Sequence, residues 1–432
     1  MYLQQFFVEG LGHASYVIGS DRTREAAVVD PRRDIAVYGE AAQQAGLAIR
    51  YVLETHVHND FLSGAKALAE RFRAEHVASA EAGLRFSHRG VREGDELQLG
   101  ELRIRVLFTP GHTPEHVSYV VIDTSRADAP VLAFTGGDLL VGSVGRTDLL
   151  GKELGAKLAP QLYDSLFGKL LRLEDYVEVL PTHGAGSLCG KAISSKRTST
   201  IGYERRFNPA LQHTEKDDFV RFVLDGNPNI PAYYARMRPG NQAGPDGFEA
   251  PAPCALSVPD VQHALGHGAA VLDTRSPGAF CSGHIPGAYN VGRSPMLATW
   301  VGSLIPPDVS LVLVLERESD WNEVVTALGR VGYDRVLCYL KGGMSAWQEA
   351  GLALARVDEI DAAGLDRRRR TDRDLQILDV RQQSEWEEGH IPGARHIPLH
   401  ELPKRVGELD SRRPTAVICG SGYRSSIAGA VL

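Results

Sequence analysis

Seventeen consecutive residues of this chain occur twice in closely similar form, which argues against one continuous domain. Leu272-Asp-Thr-Arg-Ser-Pro-Gly-Ala-Phe-Cys-Ser-Gly-His-Ile-Pro-Gly-Ala288 matches Leu378-Asp-Val-Arg-Gln-Gln-Ser-Glu-Trp-Glu-Glu-Gly-His-Ile-Pro-Gly-Ala394 at an offset of 106 residues. That offset is the size of a small α/β domain, so the second half reads as a tandem repeat. With 432 residues in all, the length alone suggests about three domains of ~150 residues each. Between residues 236 and 253 the composition turns to Pro and Gly, which reads as a linker too broken for a packed element. The expected division is a first domain over 1–240, a linker over 241–255, and repeats over 256–356 and 357–432. The basic run Arg367 to Arg370 falls between the copies and reads as a solvated face.

Composition narrows the function classes. Forty-seven Lys and Arg against 54 Asp and Glu leave a net charge of −7, the wrong sign for a nucleic-acid binder. At 43% hydrophobic and 23% charged, the chain can pack sizeable cores. No run approaches the ~18–20 uncharged apolar residues that a membrane helix needs. The start, Met1-Tyr-Leu-Gln-Gln-Phe-Phe-Val-Glu9, lacks the basic and apolar regions of a secretory signal. Cys189, Cys254, Cys281, Cys338 and Cys419 are odd in number and never spaced as Cys-x-x-Cys. They predict free thiols, no disulfide framework, no cysteine zinc site and a cytoplasmic location. Any metal must then be held by His and carboxylates.

Short apolar runs at 16–19, 26–29, 51–53, 104–108 and 117–122 predict strands, and 65–73 predicts a helix, giving a mixed α/β region. Thr55-His-Val-His-Asn-Asp60 follows one strand, and His56, His58 and Asp60 would share one side of an extended segment. Thr109-Pro-Gly-His112, Thr135-Gly-Gly-Asp138 and Thr182-His183 each end another apolar run. Four strands thus deliver a His or Asp at the carboxyl end, where open α/β scaffolds build their sites. His13, His76 and His88 stand alone and read as ordinary structural histidines.

In this order and spacing the four motifs resemble the metallo-β-lactamase fold, an αββα sandwich. Among its members, thioester hydrolases of the glyoxalase II type use two metals, the second held by Asp60, a His at the next position and His183. Here that next position is Phe61, and a phenyl ring cannot bind metal. The resemblance to persulfide dioxygenases implies instead one Fe(II) per chain, held by His56, His112 and Asp138. Two imidazoles and a carboxylate leave coordination positions open for O2 and a sulfur substrate. His58, Asp60 and His183 would orient the ligands. Arg146 would hold a substrate carboxylate or pair with Asp148. Cys189, six residues past His183, would touch the substrate or fill the core.

Asp-x-Arg followed by Gly-His-Ile-Pro-Gly-Ala resembles the rhodanese (sulfurtransferase) domain. In the last copy a strand runs into Cys419-Gly-Ser-Gly-Tyr-Arg-Ser425. Successive amides of Gly420, Ser421, Gly422 and Tyr423, with Arg424, form a nest that stabilises a thiolate or persulfide on Cys419. In the middle copy Leu315 stands where the cysteine belongs, followed by acidic residues, so that copy cannot carry sulfur in this way. The last copy stops at Leu432, inside the helix after the active loop, and reads as incomplete.

Taken whole, the chain resembles bacterial persulfide dioxygenase–rhodanese fusions, an α/β architecture of one metallo-β-lactamase sandwich and two rhodanese-like domains. The resemblance implies O2-dependent oxidation of a low-molecular-weight thiol persulfide (glutathione, coenzyme A or similar) to sulfite, coupled to sulfur transfer to or from thiosulfate. No nucleic acid or membrane partner is expected, and a homo-oligomer is left open. The alternatives are a thioester hydrolase fused to a sulfurtransferase, or a largely non-catalytic sulfur carrier.

Overall fold

The computed structural model describes residues 1–432. Two compact units emerge: Met1–Glu249 with Gly329–Gly332, and Ala250–Leu328 with Tyr333–Leu432. No helix is long and apolar enough to cross a membrane.

The first unit is built on two six-stranded sheets. One runs in the order β1 (Tyr2–Val8), β2 (His13–Gly19), β3 (Glu25–Val29), β4 (Ala48–Leu53), β5 (Glu75–Ser79), β6 (Arg89–Val91). The other contains β7 (Glu96–Leu99), β8 (Leu102–Phe108), β9 (Val117–Asp123), β10 (Pro130–Gly136), then β13 (Glu178–Pro181) and β14 (Ser199–Thr200), ordered β14-β13-β10-β9-β8-β7. A small hairpin, β11 (Leu139–Leu140) and β12 (Ser143–Val144), follows β10. In β8 the alternation is plain: Leu102, Ile104 and Val106 are buried, while Arg103 and Arg105 face outward. The inward set joins Tyr16, Ile18, Ala27, Val29, Leu53, Tyr119 and Phe134 in a core between the sheets. On the far face of the first sheet, Val17, Ala26 and Val28 pack on helices Ala36–Ala45 and Ala65–Phe72. Helices Lys152–Gly168 and Lys216–Leu224 cover the second sheet through Leu162, Leu166 and Phe219. Helix, sheet, sheet, helix is the sandwich expected from the motifs.

Each repeat of the second unit forms a parallel sheet. The middle one has the order β15 (Ala255–Leu256), β19 (Val336–Leu340), β18 (Leu311–Val314), β16 (Ala270–Asp273), β17 (Tyr289–Asn290). Its central strand, Leu311-Val-Leu-Val314, is buried throughout, as a strand covered on both faces must be. The last copy has β21 (Arg395–His396), β20 (Gln376–Asp379) and β22 (Thr415–Ile418), with β20 in the centre. Asp273 pairs with Val314 and Asp379 with Ile418, so the two registers agree and Leu315 occupies the place of Cys419.

Two expectations are corrected. The segment from 241 is not all linker: helix Tyr234–Ala243 continues into it, despite Pro239, with Asn241 buried. Tertiary bonds described below hold this helix against its poor intrinsic propensity. Cys254 and Cys338, 84 residues apart, form a disulfide that ties the segment before β15 to β19. Cys189, Cys281 and Cys419 remain free. The basic run 367–370 is exposed as expected, but it belongs to helix Ala362–Thr371, anchored by buried Leu365.

Candidate metal centre and cysteine loop

The loops after β4, β8, β10 and β13 converge at one end of the sandwich. They bury His56, His58, Asp60, His112, Asp138 and His183 together. Residues 54–63 bend rather than continue as a strand, yet the rings of His56 and His58 still lie 4.4 Å apart. Ligand atoms of His56, His58 and His183 fall within 4.8 Å of one another, as do those of His112, His183 and Cys189. Close approach needs the glycines of Thr135-Gly-Gly-Asp138. Gly136 has φ +55°, and a Cβ there would strike Thr55 and the His116 ring, while one on Gly137 would strike the His112 ring.

Hydrogen bonds fix which nitrogen each imidazole presents. Thr55 Oγ1 donates to Asp30 Oδ2 at 2.8 Å, and a hydroxyl has one proton. It must therefore accept from His56 Nδ1, 2.9 Å away, which leaves Nε2 of His56 with a bare lone pair. His112 Nδ1 donates to the Arg146 carbonyl at 2.8 Å, so its Nε2 is likewise bare, and that atom is buried without a partner. Burial holds both rings neutral by lowering their pKa values, to about 3 for His112. Asp138 Oδ1 accepts from the His112 amide at 3.0 Å, while buried Oδ2 makes no well-aligned hydrogen bond and lies 3.2 Å from His116 Nδ1. Desolvation pushes the Asp138 carboxyl well above the usual range. Two lone pairs and a buried carboxylate oxygen are donors suited to a divalent cation, while the clusters whose ligand atoms all lie within 4.8 Å are the two that share His183.

The remaining three, His58, Asp60 and His183, sit in looser polar contacts, and both nitrogens of His58 and both oxygens of Asp60 are, like Asp138 Oδ2, buried without a hydrogen bond. His58 Nε2 lies 3.4 Å from Asp30 Oδ1, and its ring stacks on Phe61 with centroids 4.5 Å apart. Phe61, fully buried, also meets His13 at 4.0 Å. Asp60 Oδ2 lies 3.4 Å from His183 Nδ1. Burial disfavours charge on both groups, but His183 outweighs it for Asp60, whose pKa falls to about 2, and Cys189 together with Asp60 outweighs it for His183, which rises well above its ordinary value. Cys189 is fully buried next to His183 and Tyr234. Arg146 spends its nitrogens on Asp148 at 2.7 and 2.8 Å and on the carbonyls of Leu188 and Pro228. The ion pair and the loop thus take four of its five N–H groups, leaving one on Nη2.

Several contributors were missed from the sequence. Asp30, after β3, accepts from the Thr55 amide and hydroxyl and from the Thr182 hydroxyl. His116 accepts from the Gly137 amide at Nε2, so its Nδ1 proton faces Thr109 Oγ1 at 2.9 Å and Asp138 Oδ2 at 3.2 Å. Asn241 accepts from the Ser63 amide and donates to the carbonyls of His58 and Phe61. Arg238 grips Glu115 through two bonds, and Glu115 accepts from the Val57 amide. Only His116 carries a sequence signal, standing four residues after His112.

In the last repeat Cys419 follows β22. Its Sγ accepts from the Gly422 amide at 3.1 Å and lies 3.5 Å from Ser425 Oγ. Burial opposes the thiolate, but the Ser425 hydroxyl and the amides of Ser421, Ser425 and Gly422 outweigh it and lower the pKa. Arg424 makes two bonds to Glu385, at 2.6 and 2.7 Å, a partner the sequence did not suggest. Gly420 runs beside the Arg424 guanidinium. A cavity of about 730 Å³ lies against Cys419, walled by Leu365, Ile391, Ala416 and Ile418 among others. In the middle repeat the matching face, with Ile285, Val312 and Val314, is covered by Leu340 and Trp347.

Comparison with known proteins agrees with both halves. Residues 8–192 match the metallo-beta-lactamase superfamily, and 257–350 and 362–432 match the rhodanese-like domain. The chain is 30% identical to the mitochondrial persulfide dioxygenase ETHE1 of Mus musculus over 256 residues, covering 56% of this chain and 90% of that protein. The Bos taurus counterpart matches at 30% over 252 residues with the same coverage. A crystal structure of a metallo-beta-lactamase from Staphylococcus aureus is 30% identical, with a TM-score of 0.72, covering 78% of this chain and 98% of that one. The chain belongs to the persulfide dioxygenase family of the metallo-beta-lactamase superfamily, extended by rhodanese-like domains.

Proposed function

We propose that the first unit oxidises a low-molecular-weight thiol persulfide with O2 at a single Fe(II) held by His56, His112 and Asp138. One persulfide, one O2 and one water give one thiol, one sulfite and two protons. The observation that carries this reading is the pair of bare Nε2 lone pairs that Thr55 and the Arg146 carbonyl leave on His56 and His112, with the Asp138 carboxylate buried among the same loops and Phe61 in place of a further ligand. When bound, the iron would supply open positions where O2 and the substrate sulfur meet. The chain's own residues do the rest. Thr55 and the Arg146 carbonyl keep the ligating nitrogens unprotonated, and Asp60 holds His183 towards the centre. Buried Cys189, beside His183, and Tyr234, beside Cys189, offer a sulfur and a hydroxyl suited to the substrate's terminal sulfur.

The Cys419 thiolate takes sulfane sulfur from a second persulfide, attacking its outer sulfur so that the S–S bond breaks and the carrier thiol leaves. Sulfite attacks the outer sulfur of a Cys419 persulfide, the S–S bond breaks, and thiosulfate leaves with Cys419 as thiolate. The lowered thiol pKa makes Cys419 a good leaving group for this step. We further propose a cytoplasmic location, where Cys419 is kept reduced between cycles and the Cys254–Cys338 disulfide has to resist reduction.

Metal analysis joined to oxygen-electrode assays tests the whole. One iron per chain, with O2 uptake driven by glutathione or coenzyme A persulfide, is expected. Two zinc ions and thioester hydrolysis would overturn it.

A further inference from the structure

Tyr423 joins the cysteine loop to the other repeat. It opens helix Tyr423–Gly429, four residues after Cys419. Its hydroxyl lies 2.8 Å from the Gly292 carbonyl and 2.8 Å from Ser294 Oγ, both in the middle repeat. A carbonyl only accepts, so Tyr423 donates to Gly292 and accepts from Ser294. One hydroxyl thus spends its donor and an acceptor site across the boundary between repeats.

The turn that receives it is itself fixed. The Val291 and Arg293 amides donate to the carbonyls of Asp273 and Thr274 at 3.1 and 2.8 Å, and the Asn290 side chain donates to the Asp273 carbonyl at 3.0 Å. The Asp273 carboxylate holds Arg275, whose guanidinium also bonds the Gly283 carbonyl. A Cβ at Gly292 would lie 3.2 Å from the Arg275 carbonyl and 3.4 Å from the Tyr423 ring, so the ring fits snugly against a glycine. The Asp-x-Arg hook of the last repeat, Asp379 and Arg381, has the same internal bonds. In the middle repeat the hook therefore frames a seat for Tyr423 in a domain with no cysteine loop of its own.

We propose that the middle repeat is a positioning partner for the Cys419 loop, with Tyr423 as the positioning residue and Gly292 and Ser294 as its seat. The proposal rests on Cys419 being the sulfur carrier. Gly422, whose amide reaches Cys419 Sγ, sits at φ +86°, a conformation glycine enters and leaves freely. Fixing the next side chain removes that freedom and keeps the amide aimed at sulfur. The loop is thus arranged before the thiolate or persulfide forms.

The test uses the full chain and follows the rate of Cys419 alkylation by iodoacetamide against pH, by mass spectrometry. Tyr423→Phe keeps the ring but loses the hydroxyl, and Ser294→Ala removes the seat from the other side. Each is expected to move the alkylation midpoint to higher pH and slow the neutral-pH rate about two- to tenfold, the factor for one neutral hydrogen bond. The double variant should be no worse than Tyr423→Phe alone, because both break one tie. Ser294→Thr, which keeps a hydroxyl, should restore the original profile. Sulfur transfer should lose kcat in the same ratio with KM unchanged. Alkylation reads the loop even if Cys419 transfers no sulfur, so failure of the wider reading is seen separately. Wild-type alkylation profiles in both single variants, or additive losses in the double variant, would overturn the proposal.

Discussion

The Nε2 atoms of His56 and His183 face each other across 3.3 Å. Only one proton, or one cation, fits between them. Thr55 settles which ring brings the lone pair, since it obliges His56 to keep its proton on Nδ1. His183 therefore stands closer to the centre than an outer role implies, and it tests the ligand assignment.

Iron content should separate ligands from supports. His112→Ala and Asp138→Asn are expected to purify with less than about a tenth of the iron of the parent chain. His183→Asn should weaken iron binding roughly 10- to 100-fold yet load when iron is supplied in excess. Measurement is by iron analysis after dialysis at graded free iron. Equal retention in all three variants would break the assignment.

The two chemistries should part by mutation. Cys419→Ser should abolish sulfur transfer to sulfite or cyanide while persulfide-dependent O2 uptake continues, and His112→Ala should do the reverse. Product analysis under excess persulfide should find thiosulfate from the parent chain and mainly sulfite from Cys419→Ser. Loss of O2 uptake in Cys419→Ser would show that the sites are not independent.

Asn241→Ala should loosen the bend that carries His58 and Asp60. Three backbone groups, the Ser63 amide and the carbonyls of His58 and Phe61, lose a buried partner. A cost of about 2–4 kcal/mol is expected, seen as a lower urea midpoint for the first unit. Unchanged unfolding would mean the helix is dispensable to the site.

Stability of the first unit should fall in acid partly through Glu54. Burial opposes its charge, but His76 Nε2 at 2.8 Å outweighs that and lowers the carboxyl pKa. A depressed carboxylate stabilises the fold above its unfolded pKa, about 4.3, and that contribution fades as pH falls through the folded value. Glu54→Gln should therefore flatten the decline below about pH 4.3. Parallel curves for the two proteins would show that the pair contributes nothing.

Strand ends were the legible part of this chain. His56, His112, Asp138 and His183 could be found because each follows an apolar run with a small-residue turn, and Phe61 could be read as a missing ligand by position. Asp30 could not, since one Asp after a strand is what most turns contain. Helix Tyr234–Ala243 was hidden by Pro239 and Gly240, whose local preference is overridden by Asn241 and Arg238 bonding two distant loops, at His58 and Glu115. The Cys254–Cys338 bond was hidden for another reason: the two cysteines are brought together by neighbouring parallel strands, and spacing along the chain carries no trace of that.

Asp30 accepts bonds from both ends of the centre, Thr55 beside His56 and Thr182 beside His183. One carboxylate thereby makes a hinge pin of the two histidine loops. A displacement that draws His56 away pulls on the segment bearing His183 as well. The centre should accordingly loosen in a single step on heating, with both imidazoles released together.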